Sequence, residues 1–197
     1  MFDLMQYILV VPEDKASSSI GGSPKLKRIY QIREINGKVL GTITEHLASK
    51  IILSFEDYLG NKLGEIRYIK IGLFKYKTSI YDSLNELRGE LTAGVPDWKT
   101  KTYPAHTLED ALGHRIAITD PFRFIAPFGH TVCVFENLRN DGLKIRDPDG
   151  NIVATLKAGS TFNAIQIDLL SPSIDRLLIL CLITYVIWME PYVPSRK

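Results

Sequence analysis

Residues 177–189, LLILCLITYVIWM, are thirteen consecutive positions without a charge, interrupted by polar groups only at Thr184 and Tyr185. Read as a helix, the run is apolar on every side and has to be enclosed on every side, by protein or by lipid. At 1.5 Å per residue it is about 20 Å long, short of the ~30 Å hydrocarbon core of a bilayer. Asp175 and Arg176 bound it on one side and Glu190 on the other, so lengthening it would draw charge into lipid. Protein is the expected container. Nearly everything before the run reads as short β-strands and turns, and the container that such a chain builds around a helix is a closed barrel. The expected fold class is mainly β: a closed antiparallel barrel of about twelve strands around a central hydrophobic C-terminal helix.

A chain of 197 residues suits a single β-barrel domain. Ser171 or Ser173 is the expected N-cap of the helix, with Asp175 in its first turn. The expected organisation is a first β-half over 1–91, an irregular connection over 92–113, a second β-half over 114–170 and the central helix over 171–190. The connection holds Pro96, Pro104 and a short helical pattern at 107–112. Alternation is clearest where Phe74, Tyr76, Thr78 and Ile80 interleave with Lys75, Lys77 and Ser79, one set for the core and one for water. The opening residues lack a basic segment and a small-residue cleavage site, and read as a first strand. Cys133 and Cys181 read as core thiols of a reducing compartment. These features make the expected location cytoplasmic.

A hairpin recurs along the chain. It is visible at Ile35–Ile43, Tyr58–Ile66 and Ile145–Leu156, with a degenerate copy at Tyr81–Leu91. Each copy is a strand end, a turn, apolar residues and a small residue, and Asn36-Gly37 and Asp149-Gly150 supply the positive φ that tight turns need. With the DxxG hairpins Asp57–Gly60 and Asp147–Gly150, and an ending of strand, short loop, Asp175-Arg176 and apolar helix, the chain resembles the tubby C-terminal-like superfamily. Within it, the resemblance is to the phospholipid scramblase and LURP-one-related branch, and it covers about Arg28 to Met189. It implies a twelve-strand barrel with the terminal helix threaded through it, phosphoinositide or phospholipid binding, and scrambling of bilayer lipids. The calcium segment of scramblases would fall at 165–175, where only Asp168 and Asp175 offer carboxylates.

Enzyme signatures are absent: the chain contains no GxGxxG, P-loop, HExxH, GxSxG or CxxC, and His46, His106, His114 and His130 have no metal-ligand spacing. The expectation is a non-enzymatic protein without a cofactor or metal. Charge is the remaining signal. Between Lys25 and Lys77 there are 11 Lys/Arg against 5 Asp/Glu, a local excess of +6 in a chain of net charge +2. Lys25, Lys27, Arg28, Arg67, Lys70, Lys75 and Lys77 are therefore the candidate ligand-binding residues, a basic strand face for anionic phospholipid headgroups at a membrane surface. The alternative is a soluble nucleic-acid- or protein-binding module using the same face, with Tyr68, Phe74 and Tyr76 as stacking platforms.

Overall fold

Side-chain alternation decides which way each strand faces, and in this chain the inward residues all converge on one helix. The computed structural model describes residues 6–10, 29–47, 51–70, 76–93, 102, 103, 105–123, 142–159, 164–172 and 174–189. The strands are β1 (Gln6–Val10), β2 (Ile29–Arg33), β3 (Val39–Leu47), β4 (Ile51–Asp57), β5 (Lys62–Lys70), β6 (Tyr76–Asp82) and β7 (Leu87–Ala93). They continue with β8 (Thr102–Tyr103), β9 (His106–Asp110), β10 (Arg115–Thr119), β11 (Phe122–Arg123), β12 (Leu143–Arg146), β13 (Ile152–Ala158) and β14 (Ala164–Leu169). Twelve of them close an antiparallel barrel in the order β1-β14-β13-β12-β10-β9-β7-β6-β5-β4-β3-β2, and β8 pairs with β11 in a separate two-stranded sheet.

One hairpin is repeated five times at one end of the barrel. In each, a Glu or Asp opens the turn, and the fourth residue adopts positive φ: Gly37, Gly60, Asn85, Gly113 and Gly150. The backbone bonds repeat as well. Asp57 N donates to Asn61 O at 2.9 Å and Gly60 N to Asp57 O at 3.0 Å, with equivalents at Glu34, Asp82, Asp110 and Asp147. Where the first residue is Asp, its Oδ1 also accepts backbone N–H groups inside the turn. Asp57 takes those of Leu59 and Asn61 at 2.8 Å, Asp82 those of Leu84 and Glu86 at 2.9 Å, and Asp110 those of Leu112 and His114 at 2.8 and 2.9 Å. The carboxylate substitutes for backbone partners that a hairpin end lacks. The register shifts just outside every one of these turns, a bulge that adds twist and helps the sheet close.

Helix α1 (Arg176–Met189) lies within this wall. Leu178 to Ile187 are buried without interruption, and they pack in one cluster with inward residues of the strands, among them Ile43, Phe55, Ile66, Ile80, Leu108, Ile145 and Ile167. Its two polar interruptions are both satisfied. The Thr184 hydroxyl donates to Leu180 O at 2.7 Å, and Tyr185 hydrogen-bonds Thr78. Among the described residues no helix is long and apolar enough to cross a membrane.

Two expectations differ from the structure. The segment 92–113 is not an irregular connection throughout: it carries the end of β7 and all of β9, and residues 107–110, expected as helical, are strand. Leu108 points into the core opposite Leu91 and Ala117, and that pairing overrides the local helical pattern. The helix also starts later than 171. Asp175 itself is the cap, its Oδ1 accepting Leu177 N at 2.9 Å, so Ser171 lies in the connection and Ser173 lies outside the described residues. Arg88 fixes this start to the β6–β7 turn, bridging Asp82 Oδ2 at 3.5 Å and Asp175 Oδ2 at 3.2 Å.

Leu180 is expected to be intolerant of charge. Leu180→Asp places an uncompensated carboxylate in the apolar interior of the barrel, against a total stability of about 5–15 kcal/mol, and the cooperative thermal melt should disappear from the circular dichroism trace. A Cβ built on Gly64 would lie 2.6 Å from Tyr81 O and 3.1 Å from Leu177 Cδ2. Gly64→Val is therefore expected to lower the denaturation midpoint, whereas Gly60→Asn, at an open turn position with φ +83, is expected to shift it far less.

Candidate functional site: the outer face of strands β5 to β7

The candidate basic residues divide by where they fall. Lys25, Lys27, Arg28 and Lys75 lie outside the described residues. Lys70 closes β5 opposite Tyr76, with its backbone alone described. Arg67 and Lys77 are described in full. Their registers, Arg67 opposite Ser79 and Lys77 opposite Ile69, make them diagonal neighbours on the outer wall, at a typical separation of about 7–8 Å. The structure brings these two together on one face.

Neither cation is bare. Arg67 is ion-paired with Glu65, hydrogen-bonds Asn85 Oδ1 and stacks on Tyr81, its guanidinium carbon 3.9 Å from the ring centroid. Lys77 is ion-paired with Glu90, and that carboxylate raises its pKa. Glu65 is buried between Arg67 and Lys62, with Lys62 Nζ 2.7 Å from its Oε2. Burial pushes the Glu65 carboxyl upward, but hydrogen bonds from Lys62 and Arg67 and their charges outweigh it and hold the pKa below the ordinary value. Ser79 is covered beneath the pair. The described part of the face therefore holds Lys62, Arg67 and Lys77 against Glu65 and Glu90, an excess of one positive charge.

Sequence reasoning did not single out the two glutamates. Glu65 was within reach, because it precedes Arg67 by two residues and so shares its strand face. Glu90 was not, because it joins Lys77 only through the β6–β7 register, Ser79 opposite Glu90. Tyr68, one of the expected stacking platforms, turns inward and packs against the core. Phe74 and the side chain of Tyr76 lie outside the described residues. Among the described residues no cluster of three or more His, Cys, Asp or Glu could hold a metal ion.

Inside the barrel, toward the C-terminal end of α1, a second polar group stands out. His106 is buried, with its ring edge-on to Tyr185 at 5.8 Å between centroids and 77° between planes. Its backbone N donates to Thr119 Oγ1 at 2.9 Å. Burial lowers its pKa from 6.5 to about 4. Compared with known proteins, the chain matches no protein-family model and no curated sequence.

The depressed His106 pKa has a defined pH signature. The folded protein resists a proton that the unfolded chain accepts, so this stabilisation is complete above pH 6.5 and is lost as pH falls from 6.5 to about 4. The loss over that window is roughly 3 kcal/mol. The turn carboxylates Asp82, Asp110 and Asp147, whose pKa values are lowered by hydrogen bonds from their own turns, lose their contribution only at more acid pH. Urea midpoints should therefore fall across the His106 window in the parent protein and stay nearly level across it in His106→Phe.

Proposed function

We propose that the chain is a non-enzymatic phospholipid-binding protein of the scramblase and LURP-one-related type, cytoplasmic and peripherally associated with membranes. It holds anionic headgroups on the outer face of β5 and β6. The observation that supports this most is architectural: a twelve-strand barrel closed around an apolar C-terminal helix, the arrangement that the resemblance to the tubby-like superfamily implies. Arg67 and Lys77 are diagonal neighbours on that wall, and the sequence offers Lys70, Lys75, Lys25, Lys27 and Arg28 as further cations for the same ligand.

The ion pairs shape how such a face would work. A headgroup phosphate has to draw Lys77 from Glu90, or add to the pair, and each cation near an anionic surface contributes about 1 kcal/mol. The face is then selective for surfaces of high charge density, because a single anion competes with a carboxylate already in place. Scrambling activity belongs to the same reading and follows only if headgroups are first bound.

Flotation on vesicles with and without phosphatidylserine tests the proposal through the increment that the anionic lipid adds. Lys77→Gln is expected to reduce that increment, and Glu90→Gln, which releases Lys77, to enlarge it. Recovery that does not change when anionic lipid is added overturns the reading. Salt-sensitive gel shifts of oligonucleotides without any such increment would establish instead the nucleic-acid module, whose Tyr68 platform faces the core.

A further inference from the structure

Turn tips in this protein carry apolar side chains where the turn itself requires none. Ile35, Tyr58, Leu59, Leu84 and Leu112 are 54, 65, 69, 78 and 80% exposed. All five lie at the second or third position of a repeated turn, between the opening acid and the positive-φ residue. The third position is Asn36 in one copy and Asp149 in another, so the geometry is satisfied by polar residues. Local structure does not explain three leucines there.

Their arrangement is equally specific. The four apolar turns join β2 to β3, β4 to β5, β6 to β7 and β9 to β10, which are consecutive around the barrel, and all of them project from the end where α1 begins. Strands about 4.8 Å apart set neighbouring tips about 10 Å apart. The result is an arc of separate convex protrusions. A protein partner would need one socket per tip in fixed register, whereas a lipid interface closes around each tip independently. Charge supports the same occupant. Residues 34–38, 57–62, 82–88 and 110–115 hold five acidic and four basic side chains, a net of −1, with no positive field to select an anionic surface. Tyr58 adds an aromatic ring with a polar tip, the residue type that favours the headgroup level.

We propose that these four turn tips form a crown that dips into the interface of a zwitterionic phospholipid bilayer. This goes beyond the headgroup-binding reading, because it uses the apolar tips at the turn end of the strands, which border the basic face at Lys62 and at the Arg67–Asn85 hydrogen bond. Lys77 is the second residue of β6 and Leu84 lies in the turn beyond its last, and the strand from Lys77 to Asp82 alone spans about 17 Å.

The test is sedimentation of the full chain with vesicles of phosphatidylcholine alone. The parent protein is expected to co-sediment, and Leu84→Ser/Leu112→Ser to partition at least about tenfold less, with an unchanged thermal melt because both side chains are exposed. The emission of the Leu84→Trp variant, read as a difference from the parent, should blue-shift on adding the vesicles and be quenched by brominated acyl chains. The crown is overturned if the parent does not sediment with phosphatidylcholine, if the double variant sediments like the parent, or if the emission of the tryptophan variant does not move. A concentration-dependent dimer that the double variant abolishes, with no vesicle binding in either protein, would assign the tips to a second copy of the chain. The phosphatidylserine increment is measured separately on the double variant, so failure of the crown and failure of the basic face are told apart.

Discussion

A helix that is apolar around its whole circumference has to be walled in, and the rest of this structure follows from that requirement. An open sheet covers one side of a helix and leaves the other wet. A closed sheet covers every side, but closing it needs twist, and twist is supplied here by a bulge outside each of five hairpin turns. Beside each bulge stands a small residue. Four positions after each positive-φ residue stand Gly41, Gly64, Gly89, Ala117 and Ala154, all buried. At the three glycines a Cβ would come within 2.3, 2.6 and 2.4 Å of Glu56 O, Tyr81 O and Glu109 O. Each of those carbonyls belongs to the residue before the acid that opens the next hairpin, so consecutive repeats are interlocked by backbone contact.

This interlock explains what could be read from the sequence. The apolar run at 177–189 has one physical solution in a β-rich chain, a closed barrel. The expected number of about twelve strands matches the twelve of the barrel, although β9 was not among the expected strands and Thr131–Glu136, which was, lies outside the described residues. Three copies of the repeat were plain, at Gly37, Gly60 and Gly150, because glycine marks the left-handed position. The copy at Asn85 is weaker because asparagine tolerates positive φ without announcing it. The copy at Asp110–Gly113 was hidden for a different reason. Thr107 to Leu112 has helical spacing, and nothing local reveals that Leu108 will meet Leu91 and Ala117 across two strands. Pairing between distant strands decides that segment, as it decides that Glu90 reaches Lys77.

The same pairing governs the chemistry of the outside. A count of charges along the chain treats 25–77 as a basic block, yet a barrel wall sets each strand against its neighbours, and the carboxylates of β5 and β7 stand beside the cations of β5 and β6. Carboxylates elsewhere are also committed. Asp57, Asp82, Asp110 and Asp147 accept the N–H groups of their own turns. Asp175 caps the helix and, with Asp82, holds Arg88. Among the described residues, Arg67, Lys77, Asp147 and Asp175, which a linear reading offers for phosphate or metal binding, instead hold strand face, turn and helix start in place.

Two requirements therefore compete at the barrel surface. Order favours charges that are paired, because an exposed pair fixes a long side chain at little net cost, and the described cations of the β5–β7 face are arranged that way. Binding favours cations left unpaired. The turn tips escape this competition, since Leu84 and Leu112 take no part in holding their turns through their side chains and their apolar surface is available as it stands. In the four turns opened by Asp the carboxylate fixes the backbone and the two residues after it hold nothing through their side chains, whereas in the Glu34 copy Asn36 Oδ1 takes that role by accepting Lys38 N at 3.0 Å. A repeat built in this way separates stability from surface chemistry within four residues, which is why side chains at the tips can differ from copy to copy while the turn geometry does not.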